Sequence, residues 1–136
     1  MSTRPPGRPA RRLYVARNVT RNLVIATHVE VARGMWGRLR GLIGTPPLQS
    51  GQGLLLRPCS GIHTWFMGYP IDALFLDAEG RVVAALGPLR PWRMSGIYPK
   101  AEAVLEVMAG TLEATGTQVG DSVELMPWEG EEGPEA

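Results

Sequence analysis

From residue 23 to residue 31 the chain alternates. Leu23, Ile25, Thr27, Val29 and Val31 fall on one face of an extended segment, and Val24, Ala26, His28 and Glu30 on the other. Successive strand side chains point to opposite faces, so this period predicts a half-exposed strand with His28 solvated on its more polar side. Leu13 to Asn22 predicts a weakly specified, extended lead-in. From Ala32 the period changes. Met35, Trp36, Leu39, Leu42 and Ile43 recur at helical spacing, with Arg33, Arg38 and Arg40 mostly off that stripe. The spacing predicts one helix near residues 32–43. Gly34, Gly37 and Gly41 each weaken it by up to ~1 kcal/mol relative to alanine, so packing must hold it. The run Gly44-Thr45-Pro46-Pro47 ends it.

Short apolar runs follow. Gly53 to Arg57 is continuously apolar before its arginine, as in a strand covered on both sides. His63 to Met67 and Ile71 to Leu76 predict two more strands. The second is apolar on both faces except for Asp72 and should be central. Asp77-Ala78-Glu79-Gly80 reads as a hairpin turn, with Arg81 to Leu86 returning as the partner strand. Gly87 to Lys100 reads as a long irregular loop carrying Arg90, Trp92, Arg93, Tyr98 and Lys100; loops this long inside a domain are often functional. Ala101 to Ala109 alternates, with Ala103, Leu105 and Val107 on one face and Glu102 and Glu106 on the other. Gly110 to Gly116 allows one helical turn, Gly120-Asp121 a bend, and Ser122 to Met126 a last strand. The expected fold is mainly β: a compact β-sandwich or open barrel of about seven short strands, with the one helix near residues 32–43.

Composition changes this picture little. The 17 glycines and 12 prolines among 136 residues favour turns and short strands. Residues 1–12, proline-rich and basic, and residues 128–136, acidic, predict disordered ends around a single domain at 13–127. A net charge of +1 gives no field selecting nucleic acid, and no nucleic-acid motif is present. No segment approaches the ~18 apolar residues of a membrane span, and no apolar run follows the N-terminal arginines. A soluble, cytoplasmic protein is expected, and its single cysteine, Cys59, fits a reducing compartment.

Candidate chemistry concentrates between Pro58 and Asp77. Cys59, His63 and Met67 are soft-ligand types at intervals of four. In a strand, four residues separate neighbours by about 13 Å, and metal–ligand bonds of about 2.0–2.3 Å cannot bridge that, so no metal site is assigned. The same separation opposes Cys59 and His63 as nucleophile and base with Asp72 orienting. Asp72 interrupts an apolar run, where a bare carboxylate is costly, so it needs partners: His63, Arg93, Tyr98 or backbone amides. It is either a latch between strand and loop or the floor of a ligand site. Trp65, Trp92, Arg93 and Tyr98 could form an aromatic and cationic rim. The expected function is a binding module for a small molecule or partner segment, centred on His63 and Asp72 and lined by Trp65, Met67, Trp92, Arg93 and Tyr98. No cofactor is assigned. The alternatives are a thiol-dependent enzyme using Cys59 and His63, and a protein-interaction domain with no pocket.

Three stretches together resemble a known family: PCSGIHTWFMGYPIDALFLDAEGRVV at residues 58–83, RGMWGRLRGLIG at 33–44 and AEAVLEVMAGTLEATGTQVGDSVEL at 101–125. In this order they resemble the small bacterial and archaeal family named domain of unknown function 192, over roughly Val24 to Leu125. The resemblance implies one β-rich domain with a helix before the central strands, and no established reaction or cofactor. Many relatives carry an export signal or lipid anchor, which this chain does not show. Many also carry an asparagine and a lysine after the Trp-Met pair, where this chain has Gly68-Tyr69-Pro70. It is similar to the branch with Ile62-His63-Thr64.

Overall fold

Period-two segments pair into a single curled sheet in the computed structural model, which describes residues 12–33, 47–62, 64 and 68–129. The strands are β1 (Tyr14–Asn18), β2 (Leu23–Arg33), β3 (Gln52–Arg57), β4 (Ile71–Leu76), β5 (Val82–Leu89), β6 (Ala103–Met108) and β7 (Val123–Pro127). A short helix, α1 (Thr111–Thr115), follows β6. The sheet order is β5-β4-β6-β3-β2-β1-β7. All neighbours are antiparallel except β2 and β3, which run parallel in a register ending at Arg33 opposite Arg57. The sheet curls into a half-barrel whose two edge strands touch. Arg81 bridges Ser122, and the amides of Val82, Gly120 and Val123 donate to Asp121, Val82 and Gly80 at 2.8, 2.9 and 2.8 Å. Of the two architectures expected, this is the open barrel. Among the described residues, no helix is long and apolar enough to cross a membrane.

Alternation sorts the core into two layers. Val29, Leu55, Leu74, Leu76, Leu105 and Val107 fill the inside of the curl. Leu54, Leu56, Ala73, Phe75 and Val104 point outward, yet they are buried as well. The reason is topological. β6 lies between β3 and β4, and β4 lies between β5 and β6. The strands on either side of each inserted strand run in the same direction, so the chain must return the length of the sheet twice. Residues 58–62, 64 and 68–70 lie on the first of these crossings and residues 90–102 on the second. Cys59, Ile62, Tyr69 and Tyr98 from them pack against the outward apolar residues.

The two crossings are also bonded to each other. The amides of Thr64, Trp92, Ser95 and Tyr98 donate to the carbonyls of Arg93, Thr64, Ile62 and Ser60 at 2.8, 3.0, 2.9 and 2.8 Å. The buried Thr64 hydroxyl donates to the Arg90 carbonyl at 2.6 Å. β4 is therefore buried at all six positions. Each fully buried aliphatic or Phe side chain in this double layer contributes about 1.5–3 kcal/mol.

Four expectations change. β2 runs on through Ala32 and Arg33, because pairing with β3 continues to Arg57; the rest of the predicted helix, residues 34–43, lies outside the described residues. Of the strand expected over 63–67 only Thr64 is described, and it pairs with the second crossing rather than with the sheet. Gly87 to Leu89, read as loop, extend β5, with Leu89 opposite Ile71 after a register shift. Glu106, placed by alternation on a face with exposed Glu102, is buried because the first crossing covers that face. All of the expected basic arm but Arg12, and most of the acidic tail, lie outside the described residues. Trp128 packs on exposed His28 with ring centroids 4.6 Å apart.

A polar knot ties the β1–β2 turn to the bend before β7. Buried Asn18 donates to Thr117 Oγ1 at 3.1 Å and to Asp121 Oδ2 at 2.9 Å. Arg21 Nε donates to the same oxygen at 2.6 Å, and the Gln118 amide at 3.1 Å. Burial pushes the Asp121 carboxyl up, but these hydrogen bonds and the Arg21 charge outweigh it and hold it below the usual carboxylate range. Its stabilisation is then fully present above the unfolded pKa of about 3.9 and is lost as pH falls through the folded value. Asp121→Ala should lose on the order of 1 kcal/mol at pH 7 in urea unfolding. The gap to the wild type should shrink at pH 2–3; an undiminished gap there would contradict the electrostatic part of this account.

Candidate functional site

Asp72 lies on the inner face at the start of β4, 2% exposed. Its Oδ2 accepts hydrogen bonds from the amides of Gly110 at 3.0 Å and Leu112 at 2.9 Å. Gly110 has φ 97°, a conformation that suits glycine, and this presents the start of α1 to the carboxylate. Burial pushes the Asp72 carboxyl up, and the backbone donors partly offset that. The other oxygen, Oδ1, is buried without a hydrogen-bond partner among the described residues. It rests against Gly87, where a Cβ would fall 2.1 Å from it. Only glycine allows β5 to approach this closely. Among the described residues, the partners found for Asp72 are backbone amides, and these bonds join β4 to α1 as a latch.

Among the described residues, Trp92, Arg93 and Tyr98 do not converge on Asp72. Tyr98 packs on Phe75 with ring centroids 4.7 Å apart. Phe75 points outward from β4, so Tyr98 and Asp72 lie on opposite faces of the sheet. Trp92 and Arg93 sit on the second crossing, also on the outer side. Their main chain is bonded to Thr64, and Trp92 takes a left-handed φ of 66°. His63, Trp65 and Met67 lie outside the described residues. Cys59 is half-buried among the outer apolar clusters, with its thiol donating to the Gly61 carbonyl at 3.1 Å. Asp72, on the inner face, therefore cannot orient a base beside Cys59. Among the described residues, no group of three histidine, cysteine or acidic side chains could hold a metal ion.

Glu106 is the residue that sequence reasoning missed. It stands on β6 between Leu54 of β3 and Ala73 of β4, facing the layer formed by the crossings. It is 3% exposed, and its Oε1 has no hydrogen-bond partner among the described residues. Burial alone pushes its carboxyl up to about 8, so it is mostly neutral at pH 7. A neutral acid there can both donate and accept a hydrogen bond, which an ionised one cannot. One signal pointed to it. β4 is apolar on both faces, which requires a covered outer face, and β6 as its neighbour shares that cover.

The outer surface of the second crossing has a different character. Trp92, Met94 and Ile97 are 57%, 68% and 71% exposed. Arg90, Arg93 and Lys100 are exposed beside them in the sequence, and no acidic residue occurs from Gly87 to Lys100. The main-chain bonds to the first crossing hold these side chains on a fixed ribbon rather than on a free loop.

Two measurements check the buried acids. Asp72→Ala removes the acceptor of two helix amides and should lower stability by about 1–3 kcal/mol in urea unfolding; unchanged stability would remove the latch. For Glu106, the folded pKa lies above the unfolded one, so its neutral form supports folding below about pH 4.5 and the loss grows as pH rises to about 8. Glu106→Gln should flatten that decline, by on the order of 3 kcal/mol between pH 5 and pH 8. Equal pH slopes in variant and wild type would show that Glu106 is not a buried neutral acid.

Comparisons with known proteins agree with this architecture. The model of the DUF192 family, described as "Uncharacterized ACR", matches residues 16–125. A UPF0127 protein of Thermococcus sibiricus is 32% identical over 119 residues, covering 85% of this chain and 75% of its own length. A UPF0127 protein of Pyrococcus furiosus is 33% identical over 110 residues, covering 79% of this chain and 94% of its own. A crystal structure of a protein of unknown function from Novosphingobium aromaticivorans superposes with a TM-score of 0.71 at 20% identity, covering 82% of this chain and 83% of that one. That likeness is one of fold. The family match over residues 16–125, with relatives above 30% identity along most of the chain, places this protein in the DUF192 family.

Proposed function

We propose that this domain is a binding module and that its recognition surface is the outer side of the second crossing. The partner is a polypeptide segment that combines apolar side chains with negative charge. The observation that carries the reading is the exposure of Trp92, Met94 and Ile97 on a ribbon clamped by main-chain hydrogen bonds. Large apolar side chains gathered at one surface mark interaction sites more often than scattered ones do. Trp, Met and Arg are enriched at interfaces, and Trp and Arg dominate their energetics. A pre-ordered ribbon also lowers the entropy lost on binding. The charges of Arg90, Arg93 and Lys100, with no acidic residue between Gly87 and Lys100, select an acidic segment and reject a basic one. Asp72 is left out of this surface because its carboxylate is engaged by α1.

Display of a random peptide library against the full chain tests the reading. Enriched peptides should pair Leu, Phe or Trp with Asp or Glu. Trp92→Ala should weaken the best of them by about tenfold or more, as for a central interface aromatic. Because Trp92 is mostly exposed, that variant should keep its fold. No enrichment, or peptides that bind Trp92→Ala as well as the wild type, would overturn the proposal.

A further inference from the structure

The mouth of the half-barrel is the end where β2, β3 and β4 finish. It holds a cavity of about 400 Å³. Val31, Leu55, Leu76 and Leu125 are among the residues lining it, and this volume lies within the usual range of about 300–1,000 Å³ for small-molecule sites. Two arginines also line it. Arg33 is two residues beyond Val31 and Arg57 two beyond Leu55, so strand alternation places both on the inner face, as continuations of the apolar ladder. They are partners in the β2–β3 register. Like charges side by side on neighbouring strands repel each other.

Among the described residues, no ion pair relieves this repulsion. Asp77 and Glu79 line the cavity too; Asp77 Oδ1 accepts the amides of Glu79 and Arg81 at 2.9 Å each, which holds that carboxylate at its own turn, and among the described residues neither acid forms an ion pair with either guanidinium. A bound anion would convert the juxtaposition into an attractive one, because two guanidinium forks can each make paired, charge-assisted hydrogen bonds to a carboxylate or phosphate. The aliphatic walls next to the arginines set the rest of the ligand.

We infer that the mouth cavity binds a small amphiphilic anion, with its carboxylate or phosphate head between Arg33 and Arg57 and a short apolar body against Val31, Leu55 and Leu76. The site is independent of the second crossing and does not rest on the peptide-binding proposal. Its test is isothermal titration of the full chain with hexanoate, hexyl phosphate, inorganic phosphate and hexanol. At least one of the two amphiphilic anions should bind, about tenfold or more tightly than inorganic phosphate or hexanol; which one binds names the head group.

The Arg33→Gln, Arg57→Gln double variant should lose that binding by about tenfold or more while Trp92→Ala keeps it. If the double variant fails to fold, Arg57→Lys carries the test: it keeps the charge, loses the fork and should bind more weakly. Failure of both anions to bind, equal binding by inorganic phosphate, or undiminished binding in the arginine variants would overturn the inference.

Discussion

The insertion of β6 between β3 and β4, and of β4 between β5 and β6, is the constraint on which the rest of this structure depends. It obliges the chain to cross the sheet twice, and the described residues of the two crossings form no helix. The two crossings bond to each other and become a second layer. Without that layer, Leu54, Ala73, Phe75 and Val104 would face water, and Glu106 with them. With it, the central strands are apolar on both sides although their sheet pairing is almost entirely antiparallel. Burial on both faces is usually a mark of parallel sheets covered by helices. Here the described residues of the crossings, which form no helix, lie over that face, and the Thr64 hydroxyl and paired amides satisfy some of their backbone groups.

Two acids sit on adjacent registers of this centre, facing opposite ways. Asp72 pairs with Val107, and Ala73 with Glu106. The two acids respond differently because their surroundings differ. Asp72 meets two backbone donors at the start of α1, which offset part of the desolvation. Glu106 meets none among the described residues, and burial decides its state. The inner acid therefore fixes an element in place, closing the end of the barrel opposite the arginine-lined mouth. The outer acid is a neutral polar group in an apolar floor, and a source of pH sensitivity.

Local pattern carried much of this fold into the sequence. β4 was legible to the residue, because six consecutive residues from Ile71 are apolar apart from Asp72 and a turn follows. β2, β6, α1 and β7 were legible from period and glycines. What local pattern could not carry was strand order, since nothing near Arg57 says that β6 will come to lie beside β3. Once that order is known, the long segment from Gly87 to Lys100 needs no functional explanation for its length: most of it is the return path of a crossing. The same missing information misplaced Glu106. Its alternation with Glu102 is real, but burial on that face depends on a segment more than forty residues earlier in the chain. For Asp72 the requirement for partners was legible, and the choice among them was a matter of which face it occupied.

The central claim is that the crossings seal the outer face over Glu106. A carbon-detected NMR titration of the glutamate side-chain carboxyls in the full chain tests this most directly. The account predicts one glutamate that titrates at about 8, identified as Glu106 by its loss in Glu106→Gln. A Glu106 that titrates near the ordinary value of about 4.3 would mean that water reaches it, and would contradict a closed second layer.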